Sequence, residues 1–139
     1  MPSSLSHVVV FTDDLDAMLR FLDEVARIRV INRYETEPED VHSLFGWPLE
    51  HSRARGAFVG EGPGSLDLLE IPDALRGLVV PGVRLLAVVN RDTNAAATQA
   101  AEAGFGVRGP FDTTSAMGQP MSMIEVIAGG VPFELVQFG

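Results

Sequence analysis

Hydrophobic positions along this chain follow two spacings, and each change of spacing marks an element. Residues 5–11 form a β-branched apolar run that predicts a strand, and Thr12-Asp13-Asp14 behind it is a helix N-cap cluster. Leu15, Met18, Leu19, Leu22 and Val25 then recur at helical spacing, predicting an amphipathic helix. Alternation returns over 27–34. Residues 35–52 are polar and mixed and read as a loop or short helix, whereas 54–60 and 65–71 read as strands joined by a hairpin turn at 60–64. After a proline-flanked linker at 72–82 the order restarts: a strand at 83–89, an Ala-rich helix capped by Asp92 and closed by Gly104, and a short strand at 105–108. A hairpin of 121–128 and 132–138 around Gly129-Gly130 follows.

The two halves lie on each other. An offset of 78 matches Val10 to Val88, Asp14 to Asp92, Ala17 to Ala95 and Glu24 to Glu102. An offset of 67 lays Leu66-Asp67-Leu68-Leu69-Glu70 on Phe133-Glu134-Leu135-Val136-Gln137. With the same element order on both sides, the chain reads as an internal duplication. Module 1 spans about 5–71 and module 2 about 83–139. Neither is large enough to bury a sufficient core alone, so the expectation is one domain over 1–139 or exchange between subunits.

Composition narrows the chemistry. Of 139 residues, 46% are apolar and 21% charged, so a packed core is affordable. The net charge of −9, with arginines scattered singly, argues against a nucleic-acid partner. With no cysteine there is no thiolate ligand, thiol nucleophile or disulfide, and any metal must be held by His, Asp and Glu. No signal peptide and no run long enough to span a bilayer are visible, which sets the expectation of a cytoplasmic protein with no membrane partner.

The duplication also sorts the carboxylates. His7 on the first strand corresponds to Leu85, and Asp67 corresponds to Glu134, so one residue from each of four strands makes a quasi-symmetric set. An acid on so apolar a strand needs water or a cation. His with carboxylates suits zinc, nickel, cobalt, manganese or iron. Glu70 offers a competing register on the opposite face from Asp67.

The stretch His7-Val8-Val9-Val10-Phe11-Thr12-Asp13-Asp14-Leu15-Asp16, with Phe21-Leu22 after it, resembles the opening strand and helix of the vicinal oxygen chelate superfamily (glyoxalase, bleomycin-resistance and dioxygenase-like proteins). Gly130-Val131-Pro132-Phe133-Glu134-Leu135-Val136-Gln137 resembles its closing motif, a turn leading into a metal-ligand Glu. The resemblance implies an α+β fold in which two βαβββ modules form a cupped mixed sheet, assembled as a homodimer. It also implies a divalent metal held by His7, Asp67 and Glu134, with His7 and Glu134 as catalytic groups. The fourth ligand position, often His, is Leu85. That departure argues against extradiol dioxygenase chemistry, which needs two His and a carboxylate.

Two functions follow from the resemblance. One is a glyoxalase-like enzyme of lyase or isomerase type acting on a small oxygen-rich substrate. The other is a metal-free protein that sequesters a small molecule, as bleomycin-resistance members do, and a metal-free enzyme using Glu134 and His7 as acid and base stands between the two. Phe45, Trp47, Leu85, Met121 and Met123 are the expected pocket residues, with Met117 beside them. Arg53 and Arg55 read as solvated strand-edge charges, and His42 and His51 as solvated loop histidines.

Overall fold

The computed structural model describes residues 4–62, 64–115 and 118–139. Pro63 in the expected hairpin turn and Met117 lie outside the described residues. The elements run β1 (Ser4–Thr12), α1 (Leu15–Glu24), β2 (Val30–Glu35), α2 (Pro38–Phe45), β3 (Arg55–Val59) and β4 (Ser65–Glu70). They continue with β5 (Gly82–Val89), α3 (Thr93–Glu102), β6 (Gly106–Thr114), β7 (Pro120–Ala128) and β8 (Val131–Phe138). Short 3-10 turns stand at Leu49–His51 and Asp73–Leu75. Apart from α2 and these turns, the order β-α-β-β-β occurs twice. The protein is α+β, with two βαβββ modules.

The chain divides into two compact units, one of residues 8–84 and one of residues 85–139 joined by the start of the chain through His7. In the first unit β2, β3 and β4 pair antiparallel, with Ala57 opposite Leu68 and Phe58 opposite Asp67. Helix α1 covers one face of this sheet. Asp14 caps it by accepting the Ala17 N–H at 3.0 Å, and Leu15, Leu19 and Leu22 pack onto Ala57, Val59 and Leu68. Each such buried leucine contributes roughly 2 kcal/mol. The helix stops at Glu24, so Val25, expected on the apolar stripe, is a C-cap and is exposed. Residues 35–52 hold a helix, α2, begun by Pro38 and ended by Gly46 at φ 73°.

The second unit is mixed: β5 runs parallel to β8, while β8–β7 and β7–β6 are antiparallel. Gly129 and Gly130, both at positive φ, make the tight β7–β8 turn, a conformation that side chains resist. Strand β6 is longer than the predicted 105–108. A register shift between Arg108 and Phe111 lets the ladder resume beyond Pro110, where an unbroken strand would stop. Helix α3 packs on β6, β7 and β8, and its Thr93 lies against Ser122 and Gln137.

Candidate functional site

In the second unit the register lines up four residues across the strands. Arg108 on β6 is opposite Glu125 on β7, Glu125 is opposite Glu134 on β8, and Glu134 is opposite Ala87 on β5. Registered partners share a face, and Ser122 and Gln137, which meet α3, sit on the alternate positions. The row therefore lies on the face turned away from α3, with Leu85 and Met123 on the same face. This face is buried: Glu125 and Glu134 are each 7% exposed, Leu85 2% and Met123 1%. Met121 is half-buried at the end of the same line of residues.

Two carboxylates side by side on a buried sheet face repel each other and lose hydration, so the pairing needs compensation. Arg108 supplies part of it. Its Nε donates to Glu125 Oε1 at 3.0 Å while its guanidinium stands 5.6 Å over the Phe111 ring. The bulge before Phe111 contains Gly109 at φ 102°, where a Cβ would come within 3.1 Å of both the Met123 carbonyl oxygen and the Phe111 ring. Gly109 is thus part of what brings Arg108 to Glu125.

His7 is half-buried on β1, its Nδ1 3.0 Å from Ser6 Oγ. Burial pushes its imidazole down to about 4, which leaves the ring neutral at physiological pH.

In the first unit Asp67 lies on the sheet face opposite α1. The Tyr34 phenol donates to Asp67 Oδ1. Burial pushes the Asp67 carboxyl up to about 6, against the opposing pull of that hydrogen bond. Tyr34 reaches it because β3 carries Gly56 opposite Tyr34: a Cβ there would fall 2.6 Å from Tyr34 Cε2 and 2.7 Å from its hydroxyl.

Trp47 is 4% exposed and packs with Phe11 and Phe45, at ring-centroid distances of 5.2 and 6.0 Å. Arg84 stands 5.6 Å over the half-buried Phe45 ring. The Trp47 carbonyl is held by Ser52 Oγ at 3.2 Å and His42 Nδ1 at 2.7 Å. Arg55 is an exposed charge at the start of β3, as expected, and is also a clamp. It meets Glu70 through Nε at 3.0 Å and Nη2 at 2.9 Å, and Asp16 at 3.3 Å.

The glyoxalase/bleomycin resistance protein/dioxygenase superfamily model matches residues 4–121, most of the chain. The chain belongs to this superfamily. No curated protein matches it significantly. Among solved structures, a hypothetical protein of Bacillus halodurans C-125 is similar at TM-score 0.73 and 16% identity, covering 99% of this chain and 95% of that one. Methylmalonyl-CoA epimerase of Mycobacterium tuberculosis is similar at TM-score 0.69 and 18% identity, over 96% and 87% of the two chains. A Streptomyces coelicolor methylmalonyl-CoA epimerase variant in complex with 2-nitronate-propionyl-CoA gives TM-score 0.67 and 20% identity, over 96% of each. At these identities the superfamily fold is what is shared.

The donor set for a divalent ion, which the family resemblance implies, is a poor fit. Neutral His7 has the form a metal takes, but Asp67 accepts a phenol and the fourth position is the buried, apolar Leu85. Among the described residues no three His, Asp or Glu side chains gather into a group able to hold a metal. Among the described residues, too, no helix is long and apolar enough to cross a membrane. Glu125, Arg108 and Tyr34 were not singled out by the sequence reading. For Glu125 the signal was present, an acid between Ile124 and Val126, the same signal that marked Asp67 and Glu134.

Proposed function

We propose that this superfamily member is a small-molecule enzyme of isomerase or lyase type that moves a proton at a carbon next to a carbonyl. The single observation that carries this reading is the pair Glu125 and Glu134, set directly opposite on a buried sheet face. A fold gains no stability from two adjacent buried carboxylates, and such an arrangement is what acid–base work requires. Glu134 takes the proton from substrate carbon as carboxylate and returns it to carbon as carboxylic acid, so the protein ends unchanged. Arg108 holds Glu125 and fixes the charge beside the base. His7, a neutral imidazole, hydrogen-bonds the substrate oxygen that gains negative charge.

The methylmalonyl-CoA epimerases of the same fold make 2-substituted acyl thioesters the first substrates to try. The test is proton wash-in from deuterated water, followed by NMR on such a panel. Wild type exchanges the carbon-bound proton of at least one member, and Glu134→Gln slows that exchange about 100-fold or more. A second reading, sequestration of a small molecule, is favoured by Leu85 standing buried where a ligand residue is expected. Calorimetric binding of a panel member without exchange in wild type would replace the enzyme reading with this one.

A further inference from the structure

We propose that Asp67 is the anchor of the Tyr34 phenol and not a metal ligand, so that the polar centre of the first unit is a phenol–carboxylate pair. Three observations carry this. The Tyr34 hydroxyl donates to Asp67 Oδ1, so one of the two carboxylate oxygens already holds a proton donor supplied by the chain. The ring lies across the backbone of β3 at Gly56, where any side chain would fall inside its van der Waals envelope. The sequence thus clears a specific space for this phenol on a strand otherwise made of Arg55, Ala57, Phe58 and Val59. Finally, Tyr34 is registered against Gly56 and Phe58 against Asp67, and these alternate positions of β3 share one face, so the strand register itself brings phenol and carboxylate together.

A metal bound through Asp67 Oδ1, or through both carboxylate oxygens, would have to displace the Tyr34 hydroxyl. Competition from a neutral phenol would not by itself keep a strongly chelated ion away. The ion, however, needs several protein donors, and the described residues hold no group of three. A lone carboxylate in water holds such ions weakly, whereas the phenol is delivered by the chain itself at high effective concentration.

Tyr34 is the only tyrosine in the chain, which makes it a clean spectroscopic reporter. The Raman Fermi doublet of tyrosine distinguishes a phenol that donates to a carboxylate from one that does not. Wild type should show the strong-donor pattern, and Asp67→Asn should shift it toward that of a weaker donor. Saturating zinc, nickel, cobalt or manganese ions should leave the wild-type doublet unchanged, whether or not elemental analysis after desalting finds metal elsewhere on the protein. The proposal is overturned if a metal binds in stoichiometric amount and is lost in Asp67→Asn, whether or not the wild-type doublet moves. It is also overturned if wild type and Asp67→Asn give the same doublet. The proton-transfer reading above stands or falls on solvent exchange at Glu134, so the two can fail separately.

Discussion

Glu70 accepts the backbone N–H of Leu15 at 2.8 Å, and Gln137 accepts that of Thr93 at 2.9 Å. Each is the first residue of a ten-residue helix, and each helix is also capped by an Asp, Asp14 on Ala17 and Asp92 on Ala95, at 3.0 Å. The offsets that relate the two halves of the sequence carry each member of this device onto its counterpart. Tertiary hydrogen bonds therefore repeat as well as element order.

The two acceptors differ in charge, and acid should tell them apart. Arg55 holds the Glu70 carboxyl below its ordinary range, with help from the Leu15 N–H. Its contribution is complete above the unfolded carboxylate pKa and lost as pH falls through the lowered folded value. Glu70→Gln should keep the helix cap, cost about 1 kcal/mol through the lost ion pair, and flatten the acid limb of urea unfolding. Gln137→Ala should cost about 1 kcal/mol with no change in pH dependence.

His7 produces a separate pH effect. Its folded value of about 4 lies below the ordinary 6.5, so the unfolded chain binds the extra proton between those limits. Stability from this source is complete above pH 6.5 and falls by about 2–3 kcal/mol as pH drops toward 4. Chemical denaturation of His7→Gln over the same range should show that slope removed.

Asp67 works in the opposite sense. Its carboxyl, at about 6 in the folded protein, is easier to protonate there than in the unfolded chain. Its contribution is complete below the unfolded value of 3.8 and is lost as pH rises through 6. Asp67→Asn should therefore be more stable than wild type by about 1–2 kcal/mol at pH 7, with the gap closing below pH 4.

Arg108→Leu should leave Glu125 beside Glu134 without its cation, costing about 2–4 kcal/mol at neutral pH. Combining it with Glu125→Gln should recover most of that loss, measured as a double-mutant cycle in urea.

Residues 56 and 34 should be coupled in the same way. Gly56→Ala should cost about 1–3 kcal/mol by forcing the Tyr34 ring aside. In a Tyr34→Ala background the same change should be nearly neutral, because Gly56 has no left-handed backbone requirement. Thermal unfolding of the four proteins gives the coupling directly.

Much of the fold was legible because strand and helix periods and helix caps are local. The Asp14 and Asp92 caps, the Gly129-Gly130 turn and the αβ order all needed only a few neighbouring residues. Helix α2 was half-seen, because its polar run carries a single buried residue, Val41, and so gives little periodic signal. Strand β6 was cut short at Gly109-Pro110 because a bulge cannot be distinguished from a strand end without its partner strand. The site was legible only as single residues. Asp67 and Glu134 stood out as acids among apolar neighbours, but their partners Tyr34 and Glu125 are set by register across strands. The ion pairs of Arg55 were not legible for the same reason, since Asp16 and Glu70 are distant in sequence.

The empty position at Gly56 is the imprint of the side chain registered opposite it on the neighbouring strand, and it makes the two residues a unit of inheritance. A related chain that carries a bulky residue at the position of Gly56 cannot keep a tyrosine lying across it, and one that loses the tyrosine is released from the glycine. Tyrosine registered against glycine on neighbouring strands, beside an acid on the next, is therefore a pattern by which the same pairing can be sought in relatives from sequence alone. Where the acid is present without the tyrosine, the carboxylate is open to a different partner.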